Sequence, residues 1–189
     1  MKNIKYFIQF LLIIISFVIF KLLGVKFSSN LSGKIFEKIG PFFRSKRIIQ
    51  SNIKRAFPNI NLEDIEKISK SMWNNYGRIF AEYMFIKKFR LSKKFSSQMI
   101  IENQDELEKI KSSNKQVIFI SGHFNNFELM AMHLEKSGID LAAIYRPLNN
   151  LFLNPIMEKI RKKYICKKQI KKGITGTKEL LKEFKKGTS

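Results

Sequence analysis

The longest apolar run of the chain lies at its beginning. Residues 6–20 are apolar except for Gln9 and Ser16, and the run reaches Val25 if Lys21 extends its amine to the membrane surface. A helix needs about 20 apolar residues to span a bilayer. We therefore expect residues 1–25 to form an N-terminal membrane anchor, and residues 26–189 to form the domain that follows it.

Two other interpretations of this run fit it less well. A signal peptide needs small residues at a cleavage site, and Val25-Lys26-Phe27-Ser28 is a poor one. A helix in a soluble core should have a polar face, which this run lacks. The lysines that flank the run are followed by a basic domain, so the positive-inside rule favours a domain on the cytoplasmic side.

Helices are also predicted between this run and residue 90. Residues 31–43 form a short amphipathic helix, which lies either on the membrane or on the protein surface, and residues 48–57 form another. Asn61 is a candidate N-cap because acidic residues follow it in the first turn. Apolar residues then recur at helical spacing, which predicts a core-facing stripe on a long helix. The stripe consists of Ile65, Ile68, Met72, Trp73, Tyr76, Ile79, Phe80 and Tyr83.

The pattern changes in the second half of the chain. Short β-branched and aromatic runs at residues 117–120 and 139–145 predict buried strands, with a weaker candidate at residues 99–101. Strands that alternate with helices favour parallel strands joined by crossover helices. The predicted fold class is therefore α/β: an N-terminal membrane helix, further helices, and a partial, mostly parallel sheet. The helices expected around these strands are residues 102–112, 152–164 and 177–186.

The polar residues with the clearest chemical use follow the first of these strands. Gly122 permits a sharp turn, His123 stands at the expected carboxyl edge of the sheet, and Glu128 opens the next helix. An imidazole can take a proton from a hydroxyl, and a nearby carboxylate fixes its tautomer. This arrangement predicts a catalytic pair, and the alternative is a histidine with a structural role only.

The segment Gly122–Glu128, GHFNNFE, resembles the H-x4-E motif of the bacterial lipid A biosynthesis acyltransferases, the lauroyl and myristoyl transferases. Further matches to that family occur in the same order along the chain, which makes the resemblance far more specific than any one motif. They are Asn52 with Ala56-Phe57-Pro58, Asn75 with Gly77-Arg78 and Glu82, Tyr145-Arg146-Pro147 with Asn149-Asn150, and Arg161.

The resemblance implies a fold like that of the glycerolipid acyltransferases and an enzyme at the bacterial inner membrane. The donor would be an acyl carrier protein thioester, and the acceptor a hydroxyl-bearing, anionic lipid A precursor. His123 would be the general base and Glu128 its orienting partner. Arg146 and Arg161 would hold phosphates of the acceptor or donor, with Asn126 as a further substrate contact. No metal, redox cofactor or nucleic-acid partner is expected.

Two departures from the family pattern are visible. Asn125 and Phe127 stand where the motif usually has Gly and Trp. Family members are also longer than this chain, which stops before a further strand and a D-Q element. We therefore expect the acyltransferase domain to be incomplete at its C-terminal end, in which case the 189 residues are a fragment.

Charge leaves other functions open. The formal net charge of +21 indicates attraction to anionic partners, although the excess of Lys, Ile and Asn is also typical of an AT-rich genome. One alternative is acyl transfer to another lipid, such as a glycerolipid or a mannosylated phosphoinositide. Another is a non-catalytic, membrane-tethered module that binds anionic lipid or nucleic acid. The single cysteine, Cys166, excludes a disulfide within the chain.

Overall fold

The computed structural model describes residues 2–96, 99–113 and 115–189. It divides into two compact units, one formed by Ile15–Phe85 and the other by Met1–Ile14 with Ile86–Ser189. The helices are α1 Lys2–Leu23, α2 Val25–Ile39, α3 Lys46–Ala56, α4 Leu62–Glu82, α5 Ile86–Leu91, α6 Lys93–Ser96, α7 Gln104–Ser113, α8 Glu128–Lys136, α9 Asn154–Tyr164 and α10 Ile174–Lys185. The strands are β1 Ala142–Tyr145 and β2 Lys168–Lys171, and 3-10 turns lie at Gly40–Phe42 and Tyr83–Phe85.

Helix α1 confirms the expectation of a long apolar helix at the start of the chain. It has 22 residues and is apolar enough to cross a membrane. Most of its large side chains are exposed, and Leu22 is 82% exposed. Phe17 and Phe20 are buried, and both pack against Phe80 of α4. A surface of this kind is stable in lipid rather than in water.

The unit Ile15–Phe85 is built on close packing of α2 against α4. The face of α2 that meets α4 carries small side chains, including Ser29, Ser32 and Gly33, all buried. On α4, Gly77 lies so close to α2 that a Cβ there would stand 2.3 Å from the carbonyl oxygen of Ser32. Small residues on both helices therefore let the two backbones approach.

The long helix α4 forms much as the sequence predicts. Asn61 is its N-cap, and the Asn61 side chain accepts a hydrogen bond from the backbone N–H of Asp64 at 2.8 Å. Ile65 and Trp73 of the predicted stripe are buried, whereas Tyr76 is 51% exposed. The predicted stripe is thus wider than the face that the helix buries.

The second unit holds the sheet, and the fold class is α/β as predicted. Strands β1 and β2 are parallel, with Ala142 opposite Lys168 and Tyr145 opposite Lys171. Helix α9 is the crossover between them. Pro155 lies in the first turn of α9, where a missing N–H is tolerated. Strand β2 is not predicted by the sequence pattern, because KQIK has a single apolar residue, Ile170, which is buried.

The predicted strand at residues 117–120 is wrong. These residues are not in a strand, and Ile118 and Ile120 are 78% and 94% exposed. Ser189 occupies the start of the neighbouring edge of β1: its N–H donates to the carbonyl of Asp140, and its carbonyl accepts from the N–H of Ala142. The Ser189 hydroxyl also accepts from the N–H of Val117. Residues 117–120 therefore do not pair with β1. Residues 99–101 form no strand either.

The close packing at Gly77 leads to a stability prediction. The variant Gly77→Ala should lower the free energy of unfolding by about 1–3 kcal/mol, because the added methyl overpacks the interface between α2 and α4. An alanine at an exposed helical position would instead be favoured over glycine. Ser71→Ala is the matched control, since Ser71 lies exposed on the same helix. Denaturant unfolding in detergent, followed by circular dichroism, measures both. Equal stability of the two variants would contradict the prediction.

Candidate active site

Glu128 is the best-held residue of the candidate site. It is the first residue of α8, and its side chain is 8% exposed. Its Oε1 accepts hydrogen bonds from Nε of Arg161 at 2.9 Å and from Nη2 of Arg161 at 2.7 Å. The position at the start of a helix also favours a negative charge. The structure therefore brings together two predicted site residues, Glu128 and Arg161, as a largely buried ion pair.

Arg161 reaches this carboxylate from the last turn of α9. Its side chain is 16% exposed, and its guanidinium carbon lies 5.6 Å from the centre of the Tyr145 ring. Tyr145 is the last residue of β1. An ion pair and an aromatic ring thus hold the guanidinium, and α8, α9 and β1 meet at this point.

His123 lies on the other side of a tight turn from Glu128. Asn125 has a left-handed backbone with φ 43°, and the N–H of Phe127 donates to the Asn125 carbonyl at 3.0 Å. Asn and Gly are the residues that best tolerate this conformation, so Asn125 can replace the glycine usual in the motif. Asn126, in the same turn, is buried, and its carbonyl accepts from the N–H of Leu129.

The His123 ring is exposed and packs edge-on against the Phe127 ring, with 4.3 Å between the ring centres. Within residues 2–96, 99–113 and 115–189, the imidazole makes no hydrogen bond, and so the expected bond to Glu128 is not formed here. The structure thus places the histidine at the surface and the carboxylate inside. Phe127 lies between them in sequence and covers one edge of the imidazole.

Arg146 is placed differently from Arg161. It follows β1 directly, and its side chain is exposed. With the described residues it makes no hydrogen bond and no ion pair. Of the two predicted phosphate ligands, Arg161 is therefore engaged by Glu128, while Arg146 keeps its hydrogen-bond donors in solvent.

A further polar cluster, which the sequence pattern does not predict, lies beside this site. The Glu158 carboxylate accepts from Asn154 at 2.8 Å and pairs with Lys171 at 3.2 Å. The pKa of Glu158 is lowered to about 2, chiefly by the nearby Tyr145 hydroxyl and further by Asn154 and Lys171. The Tyr145 hydroxyl itself meets no described residue in full hydrogen-bond geometry. Burial, reinforced by Glu158, raises the pKa of Tyr145. The feature of the sequence that indicates this cluster is the spacing of Glu158 and Arg161, because residues three apart lie on the same face of a helix.

Comparison with known families gives one match. The family described as bacterial lipid A biosynthesis acyltransferase matches residues 1–189. The chain belongs to this family. Comparisons with curated proteins and with solved structures gave no match.

Membership in the lipid A biosynthesis acyltransferase family supports an acyltransferase. The described part of the chain has no group of three or more His, Cys, Asp or Glu side chains that could hold a metal ion. The site itself contains an exposed imidazole, a buried carboxylate and two guanidinium groups.

The Glu128–Arg161 pair of this acyltransferase leads to a second prediction. The variant Arg161→Met should lower the free energy of unfolding by roughly 3–5 kcal/mol, because it removes the guanidinium from a buried carboxylate. The double variant Glu128→Gln with Arg161→Met should lose clearly less, since no buried charge remains. Lys109→Met is the control, because Lys109 is 66% exposed and its two ion-pair partners, Asp105 and Glu106, are 69% and 63% exposed. It should cost less than about 1 kcal/mol. A double variant no more stable than Arg161→Met would contradict this account.

Proposed function

We propose that this protein transfers a fatty acyl chain from an acyl carrier protein thioester to a hydroxyl of an anionic lipid A precursor. Family membership supports acyl transfer, and the observation that carries the choice of site is the exposed His123 beside the buried Glu128–Arg161 pair. An exposed imidazole can reach a hydroxyl on a substrate that comes from outside. A buried carboxylate can accept a hydrogen bond from that imidazole with little competition from water.

In the proposed reaction His123 is the general base. The acceptor oxygen attacks the thioester carbonyl while its proton passes to the His123 imidazole. The carbon–sulfur bond then breaks, and the leaving thiolate takes the proton back. The products are an ester on the acceptor and a free thiol on the carrier, so atoms and charge balance and the histidine is regenerated.

Glu128 orients the base in this proposal. Its carboxylate is held by hydrogen bonds from Nε and Nη2 of Arg161, which limits the directions in which it can accept a bond from His123. The reaction requires His123 to turn from Phe127 towards this carboxylate when the acceptor binds. Arg161 then acts by holding Glu128, and the buried Asn126 steadies the turn between the two.

Arg146 is the proposed phosphate ligand. A guanidinium can grip a phosphate with two parallel hydrogen bonds, which fixes orientation as well as charge. Its exposure and its position at the carboxyl end of β1 suit this role, because ligands of open α/β sheets bind at that edge. The net charge of +21 also suits an acidic carrier protein and anionic headgroups.

The proposed location follows from α1 and the charge around it. Helix α1 is long and apolar enough to cross a membrane, and the family is membrane-associated. Lysines at the end of the helix and in the chain that follows favour a cytoplasmic domain. We propose the bacterial inner membrane, with the site on its cytoplasmic face, where acyl carrier protein is available.

The third prediction tests the base. His123→Ala should lower the rate of acyl transfer by roughly 100- to 10,000-fold, with folding and membrane attachment unchanged. Glu128→Gln should cost less, because it removes orientation and not the base. The double variant should be little slower than His123→Ala, since the two residues act as a unit. The assay uses loaded carrier protein, a lipid A precursor and protein in detergent.

His133→Ala is the control for this assay. His133 is the other histidine of the chain, and it lies in α8 beside the Ser137 hydroxyl. Its replacement should leave transfer nearly unchanged. If His133→Ala is inactive while His123→Ala is active, the site assignment is wrong. If the natural sequence transfers to a glycerolipid and not to the lipid A precursor, the chemistry stands and the acceptor is wrong.

The fourth prediction concerns Arg146. If it holds phosphate as a two-pronged donor, Arg146→Lys should keep the charge and still lose most of the activity, nearly as much as Arg146→Gln. The loss should appear mainly in the KM for the acceptor, and transfer to an acceptor without phosphate should change little. Full turnover with lysine would show that only long-range charge matters at this position.

A further inference from the structure

The chain between Glu37 and Glu63 contains no acidic residue and six basic ones. This stretch includes the 3-10 turn Gly40–Phe42 and helix α3, all within the unit Ile15–Phe85. Such an imbalance attracts an anionic partner. The six residues are Lys38, Arg44, Lys46, Arg47, Lys54 and Arg55.

The charges near the turn are mostly uncompensated. Lys46 pairs with Glu66 at 3.0 Å, and both side chains are well exposed. Arg44 and Arg47 are also exposed and make no ion pair with any described residue. Two guanidinium groups therefore face solvent on either side of one paired lysine.

Two large aromatic side chains immediately precede these charges. Phe42 is 89% exposed and Phe43 is 70% exposed. Pro41 and the 3-10 turn stiffen the backbone that presents them. Neighbouring phenylalanines at this exposure place a large apolar surface in water, which is typical of an interaction site. We refer to residues 41–47, which run from the 3-10 turn into the first residues of α3, as the Phe42 loop.

Ring contacts connect the Phe42 loop to the apolar helix α1. The Phe17 ring of α1 lies 5.4 Å from that of Phe80, and Phe80 lies 5.5 Å from Phe36. Phe36 in turn stacks against Phe43 at 6.4 Å. All four residues belong to the unit Ile15–Phe85, so this row of rings fixes the loop relative to the second half of α1.

We propose that the Phe42 loop is a second membrane contact, in which Phe42 and Phe43 enter the interface of an anionic bilayer and Arg44 and Arg47 bind its headgroup phosphates. Aromatic rings favour the level of the headgroups, and each nearby cation adds attraction to an anionic leaflet. Together with α1, the loop fixes the tilt of this unit relative to the plane of the bilayer, which one helix alone does not. The proposal does not depend on the acyl-transfer activity.

A bilayer fits this surface better than a nucleic acid. Both would use the cations, and a base could stack on an exposed ring. The decisive feature is that the row of rings holds the loop in a fixed position relative to α1, whose Val18 and Leu22 are 57% and 82% exposed in the same unit. A partner that covers both must be apolar in one part and anionic in another.

The test uses the full chain in vesicles, with an environment-sensitive fluorophore attached at Phe42→Cys. The natural cysteine, Cys166, is 1% exposed, so labelling of folded protein is selective, and the unsubstituted chain gives the background. Ile174→Cys is the control position, because it is 82% exposed in the other unit. Vesicles contain phosphatidylcholine with or without phosphatidylglycerol, and a lipid with a nitroxide high on its acyl chain is the quencher.

We expect strong quenching at position 42 in vesicles with phosphatidylglycerol, weaker quenching in neutral vesicles, and little at position 174. Arg44→Gln with Arg47→Gln should lower the ratio of quenched to unquenched fluorophore by roughly 30-fold, because each cation near an anionic leaflet contributes about fivefold. Lys178→Gln with Lys182→Gln removes the same charge from exposed positions of α10 and should have little effect.

Three results would overturn the proposal. The first is quenching at position 42 no greater than at position 174. The second is an equal loss from both charge-removing pairs, which would mean that net charge alone acts. The third is a response of the label to single-stranded RNA in detergent together with no quenching in vesicles, which would make the loop a nucleic-acid contact. None of these measurements involves acyl transfer, so the proposed function stands or fails separately.

Discussion

The buried ion pair between Glu128 and Arg161 is the constraint on which the candidate site depends. A carboxylate that is 8% exposed needs a partner, because removing a lone charge from water is costly. Arg161 meets that need from the end of α9, and so it ties the start of α8 to the crossover helix between the two strands. The turn that carries His123 leads directly into α8, and its position is set by the same pair.

The neighbouring charges extend this arrangement along α9 and the sheet. Tyr145 covers the guanidinium of Arg161 with its ring and lowers the pKa of Glu158 with its hydroxyl, while Lys171 of β2 pairs with Glu158. One face of α9 thus carries an acid, Glu158, and a base, Arg161, next to the last residues of the two strands. Arg146, one residue beyond Tyr145, remains outside this network, and its guanidinium is available to a ligand.

The other unit depends on apolar packing and on small residues. Gly77 and the serines of α2 allow a close approach of two helices, and the rings around Phe80 fill the space between α1, α2 and α4. The same rings lead outwards to Phe43. The packing that stabilises this unit therefore also presents its exposed aromatic residues beside uncompensated arginines.

The sequence by itself determined the features that depend on local pattern. These include the apolar helix α1, the cap at Asn61, the α/β class and the family motif from Gly122 to Glu128. Periodicity, capping and motif spacing are properties of neighbouring residues, so they can be read without knowing the fold. The tertiary structure decided which residues pair with each other. Ser189 occupies the edge of β1 that residues 117–120 were expected to join. Arg161 holds Glu128, which lies 33 residues earlier in the chain. Strand β2 was likewise decided by its neighbour, because a mostly polar run becomes a strand only when β1 offers it backbone partners.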